Sequence, residues 1–432
     1  MASSTGTVTA PPTEPAIDEQ PSDPTEPTSP QRPPSAFAVL RDRNFARYWY
    51  TLVLSLTGTW VRITAMGYLV YELTGDPFKL AMINVAMAAP QFVGALIAGN
   101  ILDHVDRRRV LVAVQVTYMT MMALLVGLVI TDVIAYWQLV VISIVTGIAV
   151  GFDWPARLSL VPSLVPREQM QGAIALNATA FNGARIIGPT LGGWLIATAG
   201  IAFCFGFTLA SAAPFAIVLL SLAIVRPQEQ KPRGNALAMM KEGYGYIWRH
   251  RSIRSLMSVE IVPIALGMSY VTLAPAVASD ILDTGSRGLG YMLAAVGIGS
   301  LVGSVIVAWL SGMRHRGPLV IVAVGVFGTL FIVYALSSSL LLTLPIMFLM
   351  GLTTALYSTV KETLIQTLVD DGYRGRVMAT SSIFWSLTPV GALLAGAMAA
   401  IFGLQVALAI NGALVLLYAP LLWFATPVRH ID

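Results

Sequence analysis

Four ionisable side chains interrupt long apolar stretches of this 432-residue chain: Arg62, Asp153, Arg185 and Glu260. A charge that is removed from water into an apolar environment is strongly unfavourable, so such residues are functional candidates by default. A carboxylate can take up and release a proton, and a guanidinium can hold an anionic group. The four residues therefore indicate proton transfer and anion binding inside an apolar structure.

The composition places that structure in a membrane. Hydrophobic residues make up 56% of the chain and charged residues 11%, against about 45–50% and 25% in soluble domains. Six of the 26 basic and 22 acidic residues fall within the first 35 positions, which leaves few for a water-facing surface. Most of the outer surface must therefore face lipid, and the positive net charge reflects membrane topology rather than nucleic-acid binding.

The residues that disulfides, metal sites, catalysis or ATP binding require are absent from the sequence or lie outside the predicted spans. Cys204 is the single cysteine, which excludes a disulfide framework and a multi-cysteine zinc site. The four histidines, His104, His250, His315 and His430, lie in predicted loops or in the C-terminal tail. The sequence contains no Gly-Lys pair and therefore no P-loop for ATP. We expect neither an enzyme nor a protein with a metal or another cofactor.

The chain divides into a polar tail and a series of apolar stretches. Residues 1–35 are rich in Pro, Thr, Ser and Glu and lack an apolar segment, so we expect a disordered tail that is not a secretory signal. The remainder contains twelve stretches that reach the roughly 20 apolar residues of a membrane-crossing helix, without the alternating pattern of a β-barrel. The predicted spans are residues 46–71, 79–102, 110–131, 134–156, 172–198, 201–224, 254–278, 287–311, 317–336, 340–360, 377–401 and 404–425.

Basic residues are distributed unevenly over the loops. Of the 26 Lys and Arg residues, 21 lie in one set of loops and termini, and only Lys79 and Arg287 lie in the other. Because Lys and Arg accumulate on the cytoplasmic side, both termini are predicted to be cytoplasmic in a multi-pass protein of the cell membrane. After the tail, the predicted parts are a six-helix half at 36–225, a cytoplasmic linker at 226–253, a second six-helix half at 254–426 and a C-terminal tail at 427–432.

The two halves repeat each other. Arg157 recurs as Lys361 at an offset of 204 residues, and Gly94 recurs as Gly303 at an offset of 209. We therefore predict an all-α membrane protein with twelve transmembrane helices in two parallel six-helix repeats, an arrangement of many secondary transporters. Lys361 and the adjacent Glu362, at the end of span 10, are expected to extend to the membrane surface.

The loop after span 2 reads GNILDHVDRRR. It resembles the G-x-x-x-D-[RK]-x-G-[RK]-[RK] signature of the major facilitator superfamily. The matching residues are Gly99, Asp103, Arg107, Arg108 and Arg109. His104 and Asp106 depart from the signature, in which they replace a basic residue and a glycine. We expect Asp103 to cap the start of span 11, near residues 376–378, when the inner side of the protein is closed.

A second match lies in span 5, in the segment ARIIGPTLGGWL. Gly188, Pro189, Gly192 and Gly193 are similar to the G-P-x-x-G-G core of a motif associated with antiporters of that superfamily, whereas Ala184 replaces its upstream glycine. Proline kinks a helix, and glycines allow close packing against a neighbouring helix. Two interpretations therefore stay open: helix packing alone, and a specific role in antiport.

Together with YELTGDP at 71–77 and DWPARLSLVPSLVP at 153–166, these motifs resemble the drug:proton antiporter branch that includes enterobactin and macrolide exporters. The resemblance covers residues 36–426. It implies that spans 1, 4, 7 and 10 line a central cavity.

The same resemblance implies roles for the four intramembrane charges. Arg62 would hold an anionic group of the substrate, and Glu260 or Asp153 would carry the proton. Asp153 can equally pair with Arg157 or with the loop arginines as a latch of the inner gate. Arg185 is expected to be a structural partner, because span 5 would pack behind the helices that line the cavity.

The predicted function is secondary active transport, by proton-coupled efflux of an amphipathic small molecule such as a drug, a macrolide or a siderophore-like compound. The expected partners are that substrate, protons and the lipid bilayer, and the chain is expected to be monomeric. Uptake or facilitated diffusion of a small nutrient is the alternative within transport, because alternating access is reversible. A membrane receptor or scaffold is the alternative of another class, although it has no need for buried charge.

Overall fold

The computed structural model describes residues 36–102, 105–166, 169–222, 236–310, 315–370, 372–373, 376–378, 380 and 388–431. Within these residues the chain is helical and contains no β-strand, which confirms the predicted all-α class. The predicted disordered tail at 1–35 and the first part of the predicted linker lie outside the described residues.

Thirteen main helices account for most of the described residues. In chain order they are α1 Arg43–Thr74, α2 Pro77–Ile101, α3 Arg107–Ile130, α4 Tyr136–Leu160, α5 Met170–Ala199, α6 Ile201–Ser221, α7 Ala236–Arg249, α8 Arg251–Ile281, α9 Gly285–Trp309, α10 Arg316–Leu336, α11 Leu340–Leu368, α12 Thr388–Phe402 and α13 Leu404–Ala425.

Ten of these helices, within the described residues, are long and apolar enough to cross a membrane: all except α5, α7 and α12. The α5 helix has sufficient length but carries Asn177, Asn182 and Arg185. The α12 helix has 15 described residues, and the residues directly before it, 381–387, lie outside the described part of the chain. The structure is therefore that of a multi-pass helical protein, and the count of twelve spans stays a prediction.

Short acidic residues determine where the first three helices begin. Asp42, Asp76 and Asp106 precede α1, α2 and α3, and each carboxylate accepts a hydrogen bond from a backbone N–H group in the first turn. These groups have no partner inside the helix, so the caps stabilise the helix start. Gly75 ends α1 in a left-handed conformation with φ of 56°, which lets the antiparallel α2 begin two residues later.

The α8 helix is irregular. It is α-helical over Arg251–Ser258 and later contains two π-type turns, Pro263–Gly267 and Val277–Ile281. Pro263 and Pro275 have no N–H group, so each removes a hydrogen bond from the helix. Turns of the π type are frequent at functional sites, because they change the direction in which side chains point.

The helices form an N-terminal half, α1–α6, and a C-terminal half, α8–α13, which meet along α5 and α9 and along α2 and α12. We call the end of the bundle where α1 begins and α13 ends the basic end, because Arg43, Arg107 and Arg316 lie there. The opposite end is called the far end.

The halves are in close contact at the far end. Gly193 of α5 lies against Gly290 of α9, and a Cβ atom added to Gly193 would lie 2.2 Å from the Cα atom of Gly290. Tyr71 of α1 donates a hydrogen bond to the carboxylate of Asp280 in α8. A backbone contact and a hydrogen bond therefore hold the far end closed.

We predict that Gly193→Val opens the far end. Carbon atoms pack at about 3.5–4.0 Å, so the new side chain must push α5 and α9 apart. Spin labels at the exposed residues Thr131 and Ser338, one in each half at the far end, should then show a population at longer distance.

Gly127→Val is the matched control, because no atom lies within 4 Å of a Cβ added to Gly127. It should leave the distance distribution unchanged. An unchanged distribution in a folded Gly193→Val protein would show that this glycine contact does not control the closed state.

Candidate functional site

A carboxylate and an ammonium group form an ion pair inside the C-terminal half. Glu260 of α8 and Lys361 of α11 are 1% and 0% exposed, and Lys361 Nζ donates a hydrogen bond to Glu260 Oε2. The expectation that Lys361 extends to the membrane surface is therefore wrong. Its side chain points into the bundle, where the carboxylate offsets part of the cost of removing the ammonium group from water.

The irregular part of α8 positions Glu260. The carbonyl of Glu260 accepts a hydrogen bond of 2.9 Å from the N–H group of Ile264, whereas Pro263 has no N–H group to offer to the carbonyl of Val259. Lys361 lies about two turns before the end of α11. Both charges therefore lie closer to the basic end than to the far end.

A second ion pair lies in the N-terminal half. Arg157 Nε lies 2.6 Å from Asp153 Oδ2, one turn away on α4. The guanidinium also stacks over the ring of Phe215 in α6, 4.5 Å from its centroid. The structure therefore pairs Asp153 with Arg157, and the alternative role of Asp153 as a proton carrier stays a prediction. The action of this pair as a latch stays a prediction.

The two ion pairs differ in their access to water. The side chains of Arg157 and Asp153 are 8% and 18% exposed, and Arg157 Nη1, Asp153 Oδ1 and the hydroxyl of Tyr48 are buried atoms without a hydrogen-bond partner among the described residues. Groups of this kind are normally bonded to ordered water. The side chains of Lys361 and Glu260 are only 1% and 2% exposed, so the C-terminal pair is the drier of the two.

The sequence repeat relates the cations of the two ion pairs, Arg157 and Lys361. Arg157 and Lys361 are equivalent at an offset of 204 residues, but their acids come from different places. Four residues before the cation, the N-terminal half has Asp153 and the C-terminal half has Tyr357, which cannot supply a negative charge at neutral pH. The countercharge of Lys361 must therefore come from another helix, and Glu260 provides it. This signal was present in the sequence and could have identified Lys361.

Arg62 is buried without a carboxylate. Its residue surface is 1% exposed, its Nε atom donates a hydrogen bond of 3.0 Å to the hydroxyl of Tyr118, and Nη2 lies 3.7 Å from the sulfur of Met87. Among the described residues no acidic group lies within ion-pair distance of it. A buried cation with neutral neighbours is suited to an anionic ligand group.

Arg185 of α5 lies near two tyrosines of the C-terminal half. It is partly buried on α5 and lies close enough to Tyr270 and Tyr357 to interact with them electrostatically. Both tyrosines are buried in the C-terminal half. The expectation that Arg185 is a structural partner behind the cavity helices stays a prediction.

The loop signature lies only partly within the described residues. Asp103 and His104 are outside them, and Gly99 is in the last turn of α2. Asp106, which departs from the signature, is the N-cap of α3, and its carboxylate accepts the N–H of Arg108 at 2.9 Å. The side chain of Arg108 bonds to the carbonyl of Leu222 at 3.3 Å. Arg108 thus connects helices of one half, while Arg107 and Arg109 begin α3 beside it.

The span-5 glycines lie at helix contacts. A Cβ atom on Gly188 would lie 2.3 Å from the Cβ atom of Trp60 in α1, and one on Gly192 would lie 3.1 Å from that of Thr64. Gly193 faces the other half, as described above. Pro189 lies inside α5 between these contacts. The arrangement is consistent with the packing interpretation and leaves a specific role in antiport as a prediction.

The chain is similar to several export proteins. It is 27% identical to the multidrug efflux pump Tap of Mycolicibacterium fortuitum over 394 residues, 87% of this chain and 94% of Tap. It is 21% identical to macrolide efflux protein A of Streptococcus pyogenes, over 90% of this chain and 97% of the relative. It is 24% identical to the enterobactin exporter EntS of Shigella boydii, over 77% and 78% of the two chains.

The overall fold is also that of a solved structure. The bacterial homologue of the human lysosomal transporter Spinster, in an inward-facing and unoccupied conformation, superposes with a TM-score of 0.70 over 90% of this chain and 98% of that one, at 12% identity. The family model described as transmembrane secretion effector matches residues 34–432. The chain therefore belongs to the transmembrane secretion effector family, within the major facilitator superfamily of membrane transporters.

Proposed function

We propose that this protein is a proton-coupled exporter of an amphipathic small molecule and works by alternating access. Twelve spans in two parallel six-helix repeats would rock around a central site, and the loop charges favour a cytoplasmic basic end in the cell membrane. The relatives named as multidrug, macrolide and enterobactin exporters support export. The single observation that carries the coupling mechanism is the buried Glu260–Lys361 ion pair.

Protonation of Glu260 is the coupling step of this proposal. A neutral carboxyl group no longer compensates Lys361, and loss of one partner of a buried pair costs about 3–5 kcal/mol. A conformation in which the ammonium group reaches water then becomes relatively more stable. Protonation therefore shifts the balance between the two conformations, as coupling requires.

The dry environment favours Glu260 over Asp153 as the proton carrier. An ion pair that is partly exposed can exchange protons with water in any conformation, so its protonation state is only weakly tied to the opening of the bundle. Asp153, which is 18% exposed at its side chain, fits this description better than Glu260, at 2%. Asp153 remains the second candidate.

Arg62 is the proposed contact for an anionic group of the cargo. The guanidinium has hydrogen-bond donors that Tyr118 and Met87 do not use. A carboxylate or a catecholate of the cargo would provide both the missing negative charge and the acceptors. This buried and uncompensated cation also argues against a receptor or scaffold, which would bear its energetic cost without any use for it.

Uptake or facilitated diffusion of a small nutrient is the competing transport function. The direction of an alternating-access transporter depends on the gradients applied. A panel of dyes, macrolides and siderophores tested in cells and in inverted vesicles, with and without a proton uncoupler, distinguishes the two. Export that the uncoupler stops supports the proposal, and uncoupler-insensitive entry contradicts it.

We predict that the double variant Glu260→Gln, Lys361→Met folds normally but cannot concentrate cargo under a pH gradient. Replacement of a whole buried pair is often neutral or stabilising, whereas Glu260→Gln alone should cost about 3–5 kcal/mol of unfolding free energy. Exchange of cargo at equal concentrations on both sides should continue in the double variant. Proteoliposomes and the panel compound transported by the wild type provide the measurement.

The control variant is Glu362→Gln, which neutralises a neighbouring carboxylate that is only partly buried. It should retain uphill transport. Normal accumulation in the double variant would mean that Glu260 is not the carrier, and Asp153 would take its place.

For Arg62→Gln we predict weaker binding of anionic cargo by about tenfold to hundredfold, the effect of a charged hydrogen bond worth roughly 1.5–3 kcal/mol. Neutral panel compounds should bind nearly as before. Fluorescence titration of the purified protein measures both. Tyr118→Phe, which removes the hydroxyl bonded to Arg62 and keeps the charge, should change anion binding much less. Equal losses for anionic and neutral compounds would contradict a direct contact.

A further inference from the structure

A cavity of about 610 Å³ lies between α5 and α9, away from both ion pairs. Its walls come from different halves, with Ile187, Leu191 and Trp194 on α5 and Arg287 and Tyr291 on α9. This volume is in the range of pockets that hold small molecules, about 300–1,000 Å³. The walls are almost entirely apolar.

The cavity opens on the outer surface of the bundle. Trp194, Tyr291 and Ile187 are 59%, 57% and 56% exposed. In a membrane protein, large apolar side chains that are this exposed contact lipid rather than water. The cavity is therefore a groove in the surface that faces the bilayer.

The groove has the depth and the polarity of one lipid leaflet. The groove begins near the far end of the bundle at Arg287, in the first turn of α9. It extends along α9 to Ile298, eleven residues later and closer to the middle of the bundle. Eleven residues of α-helix span about 16 Å, close to half of the roughly 30 Å hydrocarbon core. Trp194 and Tyr291 lie about one turn below the far end, at the level where aromatic residues meet lipid headgroups.

Arg287 is available for an anion. It is exposed and makes no hydrogen bond or ion pair with another described residue. Together with Lys79 it is one of two basic residues in the far-end loops. An arginine at the headgroup level beside an apolar groove matches an amphipath with a phosphate at one end and a hydrocarbon chain at the other.

We propose that the groove binds a phospholipid of the far-end leaflet, with its phosphate on Arg287 and one acyl chain between α5 and α9. The Gly193–Gly290 contact lies beside the groove, so its two walls come together only while the far end is closed. A lipid that contacts both walls binds this state better than an open one and stabilises it. This regulatory consequence, unlike the binding itself, rests on the proposed alternating access.

The test is native mass spectrometry of the purified full-length protein titrated with phosphatidylglycerol, without cargo and without a pH gradient. Arg287→Gln should weaken binding about tenfold, the effect of one charged hydrogen bond. Ala294→Trp, which fills the groove and leaves Arg287 in place, should weaken binding as well. Lys79→Gln removes the other far-end cation outside the groove and should bind like the wild type.

Equal binding by the Arg287→Gln and Lys79→Gln proteins would overturn the proposal, and so would unchanged binding by Ala294→Trp. Displacement of the lipid from the wild type by a macrolide or a dye would also overturn it, because the groove would then be a binding site for such compounds. None of these readouts requires transport, so a failure of the proposed export function would be recognised separately.

Discussion

Charge in an apolar interior is the constraint on which the arrangement of this transporter depends. Glu260 and Lys361 are tolerated inside the bundle because each compensates the other, and either one alone would be strongly destabilising. The pair is also where a proton would have the greatest effect, since protonation removes one charge and leaves the other uncompensated. The property that makes the pair costly therefore makes it suitable for coupling.

The same helix connects this pair to the far end. The α8 helix carries Glu260 near the basic end and Asp280, the acceptor for Tyr71, at the far end. The twenty residues between them would span about 30 Å as a regular helix. Two proline residues and two π-type turns interrupt that segment, and hydrogen bonds lost at such points make bending less costly. In the proposed mechanism, a bend of α8 on protonation of Glu260 would connect the ion pair at one end with opening at the other.

Much of the fold could be predicted from the sequence because hydropathy and charge are properties of whole segments. Composition, span length and loop arginines are sufficient for a multi-pass helical protein, and two short motifs identify the superfamily. The direction of a side chain depends instead on the rotation of its helix about its own axis. The sequence therefore predicts Lys361 at the membrane surface, whereas its side chain is buried inside the bundle. In the loop signature Asp106 only replaces a glycine, but in the structure its carboxylate caps the start of α3.

The central claim, that Glu260 is the group that takes up the proton, is tested most directly by infrared difference spectroscopy of the purified protein. Addition of a transported compound should produce the band of a protonated carboxyl group in the wild type. If Glu260 takes up the proton, the band is absent from the double variant Glu260→Gln, Lys361→Met and present in Asp153→Asn. A band that persists in the folded double variant would contradict the claim.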